Sequence, residues 1–393
     1  MKVKLVENIR HAYIQLLQEE LIRKSAGVVA PIQKQDVVDL DNPEKNIVYK
    51  SIRSYVPDYD MTQAHPESNL RKQYVIGLAN KLATSDNQEY KDSVFRAYQE
   101  KSPGLVGSAK NYDQLVDHTY AAAKKETLDQ FNSLPIKTTY HTGEFDYKSS
   151  GDMVNDVHKN HHMAVYSGGE PHTHLRKDAG DDLTANEKFR AVHDYYGHAL
   201  HGNQFGPKGE EIAWNIHQQM YSDLAKPAVT AETRGQNSEV NYTGLNLENI
   251  SGMKHHRQLA AMASTEEERK SHLAEVRKIG QNWNYARQKA SVLPPEMNSP
   301  QYDGSVPKSI AHLLIDKEGT KMSASYNTKK DHLGIYRLAK LHNPENANEV
   351  VNELAKVHGY SGTIGESIVG NNPTDVIHDE DYAPIHQRQN YSF

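Results

Sequence analysis

Cysteine is absent from this chain of 393 residues. The protein therefore has no disulfide, no thiolate metal site and no cysteine nucleophile. Any metal ion would have to be bound by nitrogen and oxygen atoms, a donor set that suits Fe(II), Mn(II) or catalytic zinc. The absence of thiolates excludes a structural zinc knuckle and leaves histidine and carboxylate side chains as the candidate ligands.

Hydrophobic residues are also scarce, at 37% of the chain, and the mean hydropathy is −0.79. No apolar run is long enough to span a bilayer. The chain begins Met1-Lys2-Val3-Lys4 and leads directly into an amphipathic helix, without the apolar segment of a secretory signal. We therefore expect a soluble protein that makes no membrane contact and is not secreted by a signal peptide.

Positive charge is not in excess, because the formal net charge is −6 and the sequence pI is about 6.4. This slightly negative net charge argues against an extensive nucleic-acid-binding surface. The expected partner is a small-molecule or polypeptide substrate, whose identity the composition does not reveal.

Helical periodicity dominates the chain and predicts a mainly α fold, an α+β chain with a few short strands. We expect helices over 70–82, 90–100, 112–133 and 209–221, and short strands at 136–141 and 163–166. The predicted organisation is a helical N-terminal region (1–110), a metal-site domain (111–293), a proline-rich linker (294–307) and a C-terminal appendage (308–393).

The strongest functional signal is a pair of histidines five residues apart, His193 and His198. Thr184 and Glu187 have the spacing of a capping box, so a helix is expected to begin close to this pair. Apolar residues at helical spacing share a face with His193, which should therefore be buried.

An uninterrupted α-helix would separate these two histidines by about 140° around its axis. Gly197 precedes His198 and can leave the helical region at little steric cost. We therefore expect the helix to end at Gly197 and the chain to turn His198 back toward His193.

A carboxylate downstream can complete a facial set of two histidines and one acid, which leaves coordination positions open for chemistry. Glu232 is the preferred third ligand, because polar residues that could orient a substrate follow it. The candidate catalytic residues are Arg234, Gln236, Asn237 and His217.

Other carboxylates close to the histidine pair remain open alternatives. Asp194, Glu210 and Glu211 are candidates for an outer-shell partner of a metal-bound histidine or for the third ligand itself. His172 and His174 are a further candidate pair, because alternate residues of a strand share a face.

The segment His193-Asp-Tyr-Tyr-Gly-His198 with Glu232 downstream resembles the His-Glu-x-x-Gly-His motif and later Glu of the pterin-dependent aromatic amino acid hydroxylases. The resemblance implies non-heme Fe(II) held by His193, His198 and Glu232 in a helical catalytic core. Zinc and manganese are the alternative metals. Asp194 stands where the family usually has Glu, and we find no pterin-binding segment, so a pterin is not among the cofactors that we expect.

The runs at 209–214 and 231–238 also resemble uncharacterised proteins encoded by tailed bacteriophages. That resemblance implies the cytoplasm of an infected bacterium or a virion as the location, with virion partners. Three hypotheses follow: an O2-dependent hydroxylase or other oxygenase with Fe(II), a zinc-type metallohydrolase, and a virion or assembly protein whose metal site is structural or vestigial.

Overall fold

The computed structural model describes residues 38–61, 70–142, 147, 149–178, 181–243 and 245–314. The amphipathic helix expected near the N-terminus and the appendage expected at 308–393 lie wholly or mostly outside these ranges. Within them no helix is both long and apolar enough to cross a membrane.

The described part of the chain is mainly helical, which confirms the predicted fold class. The α-helices in chain order are α1 (Ile47–Tyr55), α2 (Leu70–Ala83), α3 (Gln88–Lys101), α4 (Pro103–Val106), α5 (Tyr112–Asn132), α6 (Ser150–Asn155), α7 (Ala185–His193), α8 (Pro207–Gln218), α9 (Lys226–Thr230), α10 (Gln236–Tyr242), α11 (Leu247–Met262), α12 (Glu266–Gln281) and α13 (Ala311–Leu314). Short 3-10 turns lie at Pro43–Lys45 and Pro295–Asn298.

Two short strands form the sheet seen in the described residues. β1 (Lys137–His141) and β2 (His162–Tyr166) pair in parallel, with Lys137 opposite His162 and His141 opposite Tyr166. A parallel pair needs a crossover connection, and the segment that contains α6 provides it. Both strands lie where the sequence predicts them.

Among the described residues, three π-helical turns extend or join helices. They are Asp156–Asn160 after α6, Asp194–Ala199 after α7 and Ala231–Gly235 between α9 and α10. Hydrogen bonds in a π turn join residues five apart, and such turns occur frequently at functional sites. The second turn contains His198, and the third contains Glu232.

The buried side chains of the described segments form two clusters. One packs α2, α3 and α5 against the elements from α9 to the C-terminal end of the described chain. The other packs α1, β2 and α6 against α7, its π turn and α8. Side chains from both sides of residue 110 share the first cluster, and Met297 and Tyr302 of the expected linker are buried in it. The hydrophobic core of the described residues is continuous across 110 and 293. The domain boundaries at these positions therefore remain sequence predictions.

The start of α7 follows the predicted capping box. The Thr184 side chain accepts a hydrogen bond from the Glu187 N–H at 3.1 Å, and the Glu187 carboxylate accepts one from the Thr184 N–H at 2.6 Å. Two N–H groups that the helix itself leaves unpaired are thereby satisfied.

We expect Thr184→Ala to lower the free energy of unfolding by about 1 kcal/mol, because it removes the capping oxygen. Thr184→Ser, which keeps that oxygen, is the matched control and should unfold close to the wild type. Urea denaturation measures the difference. Equal unfolding free energies for the alanine and serine variants would contradict this role of the cap.

Candidate metal centre

The π turn after α7 brings the two predicted histidines together. His193 ends α7 and His198 lies in the turn Asp194–Ala199, five residues later. Hydrogen bonds in a π turn join residues five apart, whereas those of an α-helix join residues four apart. Two side chains five residues apart therefore project to the same side of a π turn. Their ring centroids lie 5.2 Å apart, with the ring planes at 83°. The expected convergence is therefore present.

The expected cause of that convergence is wrong. The helix does not end at Gly197, because the π turn continues through it to Ala199. A Cβ atom on Gly197 would lie 3.0 Å from the Ala213 Cβ and 3.1 Å from the Ala213 carbonyl oxygen. Gly197 thus allows α8 to approach the π turn closely, and this close packing is the reason for a glycine here.

Glu210, in the first turn of α8, is the carboxylate that meets the histidines. Its Oε2 atom lies 3.5 Å from Nε2 of His193 and 3.4 Å from Nε2 of His198. The three ligand atoms lie within 4.8 Å of one another, and all three residues are buried. In the described part of the chain this is the one group of three or more histidine and acidic residues with metal-binding spacing.

The charges in this group are coupled. Burial raises the pKa of Glu210, but the nearby His198 and His193 lower it by more, so the net shift is downward. Burial lowers the pKa of His198, yet the Glu210 carboxylate outweighs this effect with help from Asp194, and the net shift is upward. For His193 the lowering by burial prevails. The Glu210 carboxylate and the His198 imidazole thus favour each other's charged forms, and a divalent cation would compete with the His198 proton.

Several polar atoms of the group lack hydrogen bonds. Both ring nitrogens of His198 and the Oε1 atom of Glu210 are buried, with no hydrogen-bond partner among the residues that the structure describes. Buried polar atoms without a partner are rare in proteins and call for an explanation such as an ion. Two imidazoles and a carboxylate are suitable ligands for several divalent metals, so these residues fit a metal ion.

Aromatic side chains surround the group. Phe189 stacks on His193 with ring centroids 6.3 Å apart, and Phe205 meets His198 edge to face at 4.9 Å. Both phenylalanines are buried. A metal bound here would lie in an environment of low polarity, where its charge acts more strongly than in water.

Glu232, the preferred third ligand from the sequence, is not brought into this group. Its Oε1 accepts a hydrogen bond from the Tyr120 hydroxyl and lies 2.9 Å from Nε2 of His172. Its Oε2 accepts a bond of 2.8 Å from the Gln236 side-chain amide. Both carboxylate oxygens are thus engaged elsewhere, and the alternative ligand Glu210 lies beside the histidines.

The other candidate pair is also held apart from the metal group. His172 accepts hydrogen bonds at Nδ1 from the backbone N–H groups of His174 and Leu175, at 3.1 and 3.0 Å. His174 points its Nε2 to Asp117 at 2.9 Å, on the surface. The segment that contains both histidines is not a strand, so the expected alternation of faces does not apply.

Glu211, adjacent to Glu210, pairs with Arg234. The two Arg234–carboxylate hydrogen bonds measure 3.1 and 2.7 Å, and the Lys72 ammonium lies 3.6 Å from the same carboxylate. Arg234 also donates to the carbonyls of Met297 and Ser299 and lies over the Trp214 ring at 3.9 Å. This buried pair joins α8 to the segment after residue 294, and a substrate-orienting role for Arg234 stays a prediction.

The remaining candidate residues have partners within the protein. The Gln236 side chain contacts Glu232 and Gln288, and the Asn237 side chain donates to the Pro207 carbonyl at 3.2 Å. His217 lies beside the metal group, with its Nδ1 atom 3.3 Å from Nδ1 of His193. Of the four candidate catalytic residues, His217 is the one that contacts a proposed metal ligand directly.

Two residues of this region were not indicated by the sequence. Asn203 donates its side-chain N–H to the Gly197 carbonyl at 3.0 Å, and its backbone N–H bonds to the His198 carbonyl at 2.9 Å. Gln130 of α5 bonds to His217 at 2.9 Å. Neither residue stands in a motif, and Gln130 is distant in sequence, so no local signal indicates either contact.

Comparison of the chain with protein-family models, curated proteins and solved structures gave no match. The likeness to the hydroxylases and to phage proteins therefore rests on the motif residues alone.

We expect Glu210→Gln to weaken divalent-metal binding by more than about 100-fold, a larger loss than the 10–100-fold typical of outer-shell partners. Glu232→Gln should keep the metal and lower the unfolding free energy by about 1–3 kcal/mol, because its new N–H group faces other donors. Calorimetric titration with zinc and urea denaturation measure the two effects. Loss of zinc binding in Glu232→Gln, with zinc binding retained in Glu210→Gln, would identify Glu232 as the third ligand.

Gly197→Ala should weaken metal binding and lower the unfolding free energy by about 1–3 kcal/mol, because the added methyl separates α8 from the π turn. Gly104→Ala is the control, since nothing lies within 4 Å of a Cβ at that helical glycine. The same titration and denaturation apply. Unchanged metal affinity in Gly197→Ala would show that this close approach does not position Glu210.

Proposed function

We propose that this protein is a mononuclear non-heme metal enzyme, with Fe(II) held by His193, His198 and Glu210 and with O2-dependent oxidation of a small substrate as its reaction. The observation that carries the proposal is the convergence of these three side chains at a buried point, with polar atoms that lack other partners. Two histidines and one carboxylate form the facial set that non-heme Fe(II) oxygenases use.

The surroundings of the group support oxygen chemistry. The three side chains are at most 4% exposed, so reactants that reach them without rearrangement have to be small. Phe189 and Phe205 make the immediate environment apolar. A small apolar molecule such as O2 can enter such a site more easily than a polar polymer, and exclusion of water protects reactive species.

The ligands also determine the charge of a loaded site. Two neutral imidazoles and one carboxylate reduce the charge of a divalent ion from +2 to +1. A net charge in buried surroundings is costly unless it is compensated. The site therefore favours an anionic group, such as a carboxylate of the co-substrate, at one of the coordination positions that the protein leaves open.

Zinc-dependent hydrolysis is the second candidate, and the spacing of the ligand atoms favours it. A tetrahedral ion with bonds of about 2.0–2.1 Å holds its ligand atoms about 3.4 Å apart, whereas an octahedral ion with such bonds holds neighbours about 2.9 Å apart. The distances from Glu210 to the two histidines are 3.5 and 3.4 Å. Catalytic zinc uses the same types of ligand and activates a bound water.

Loading the chelated protein with Fe(II) under anaerobic conditions and adding nitric oxide tests the first candidate. We expect about one Fe(II) per chain and the S = 3/2 electron paramagnetic resonance signal of an iron–nitrosyl site, because nitric oxide binds at an open position as O2 would. Glu210→Gln should lose the signal, and Glu232→Gln should keep it.

Metal analysis of protein purified without a histidine tag separates the two candidates. Bound iron and uptake of O2 in the presence of a reductant support oxidation. Stoichiometric zinc, no nitrosyl signal after Fe(II) loading and cleavage of an ester or amide substrate would support the hydrolase. A wild-type protein that binds neither metal would contradict both.

A further inference from the structure

A chain of hydrogen bonds leads from the proposed metal ligand His193 to a backbone carbonyl. Nδ1 of His193 lies 3.3 Å from Nδ1 of His217, and Nε2 of His217 lies 2.9 Å from Oε1 of Gln130. The Gln130 amide nitrogen lies 3.3 Å from the Met220 carbonyl oxygen. All three side chains are at most 1% exposed, so bulk water does not compete for these partners.

The donor and the acceptor of each hydrogen bond can be assigned by starting at the Met220 carbonyl. The Met220 carbonyl only accepts, so the Gln130 amide must present its NH2 group to that carbonyl and its oxygen to His217. An amide oxygen also only accepts, and Nε2 of His217 therefore carries a proton and donates it.

The next step fixes the state of both imidazoles. A charged His217 would be an uncompensated cation at a fully buried position, which is costly, so its Nδ1 is unprotonated and accepts. Nδ1 of His193 must then donate to it. In neutral His193 the other nitrogen, Nε2, consequently has no proton, and its lone pair is directed toward Glu210 and the metal position.

The opposite tautomer of His193 is disfavoured at Nδ1 and would block metal binding at Nε2. It would place two lone pairs face to face across the 3.3 Å between His193 and His217. It would also place an N–H where a metal has to bind, with a weak hydrogen bond of 3.5 Å to Glu210.

We propose that Gln130 and His217 are positioning residues, which hold His193 in the tautomer whose Nε2 atom can bind a metal. Metal-bound histidines generally donate their second N–H to a carboxylate, a carbonyl or water, and here a neutral imidazole is the acceptor. The effect on metal binding rests on the function proposed above, whereas the tautomer is a property of the metal-free protein.

The tautomers are measured directly in metal-free protein labelled with 15N in its histidine rings. Long-range 15N–1H correlation spectra distinguish the two neutral forms, and the His193 and His217 signals are identified by their loss in His193→Gln and His217→Asn. We expect a proton on Nδ1 of His193 and on Nε2 of His217. A proton on Nε2 of His193 in the wild type would overturn the proposal.

A matched pair of variants measures the effect on metal binding. His217→Asn places an oxygen close to the position of Nδ1 and keeps an acceptor for His193, whereas His217→Leu has nearly the same shape and no acceptor. Both lose the same ring packing, so a stability loss common to both cancels in the comparison. We expect zinc to bind His217→Leu about 10–100-fold more weakly than His217→Asn.

Equal zinc affinity in the two variants would also overturn the proposal. Failure of the wild type to bind any metal would instead contradict the metal centre, while the spectrum of the metal-free protein would still decide the tautomer of His193. The two proposals can therefore fail separately.

Discussion

The site depends on one feature of the backbone, the π turn at Asp194–Ala199. In an α-helix residues five apart diverge, and His198 would point away from His193. The widened turn aligns them, and its carbonyls have to find new partners. Asn203 provides donors for two of these carbonyls, those of Gly197 and His198. The polar residue after the turn thus stabilises the backbone geometry that the two imidazoles require.

Helix α8 lies against that turn and carries two adjacent acids with different roles. Successive residues of a helix point about 100° apart, so Glu210 and Glu211 face different neighbours. Glu210 faces the two histidines, whereas Glu211 faces Arg234 and Lys72. The guanidinium and ammonium groups compensate the charge of Glu211. Glu210 faces imidazoles instead, which can exchange a proton for a metal ion.

Local features of the fold could be predicted from the sequence. The capping box of Thr184, the helical spacing of α2 and α5 and the two short strands depend on neighbours in the chain, and all of them are confirmed. The histidine pair could be found for the same reason. The turn that aligns it was predicted wrongly, because a glycine is compatible with a helix end and with close helix packing, and only the position of Ala213 distinguishes the two.

The third ligand could not be chosen from the sequence, because that choice depends on which helices pack together. Glu232 has the more suggestive polar neighbours, but in the fold only Gln236 among the candidate residues bonds to it. Arg234 pairs with Glu211, and Asn237 donates to the Pro207 carbonyl. Glu210 has no such local motif and becomes a candidate ligand only when α8 packs on the π turn. Gln130 shows the same limit, since its contact with His217 joins α5 to α8.

The two histidines of the group differ in their surroundings, and this difference bears on how a metal would be bound. His193 has an acceptor at Nδ1, which makes its other nitrogen available before a metal arrives. His198 has no hydrogen-bond partner at either nitrogen among the described residues. Burial lowers its pKa, but the nearby Glu210 carboxylate raises it more. An incoming cation would therefore meet one preorganised ligand and one at which it competes more strongly with a proton. Metal uptake should be limited at low pH by His198 rather than by His193, because the pKa of His193 is lowered.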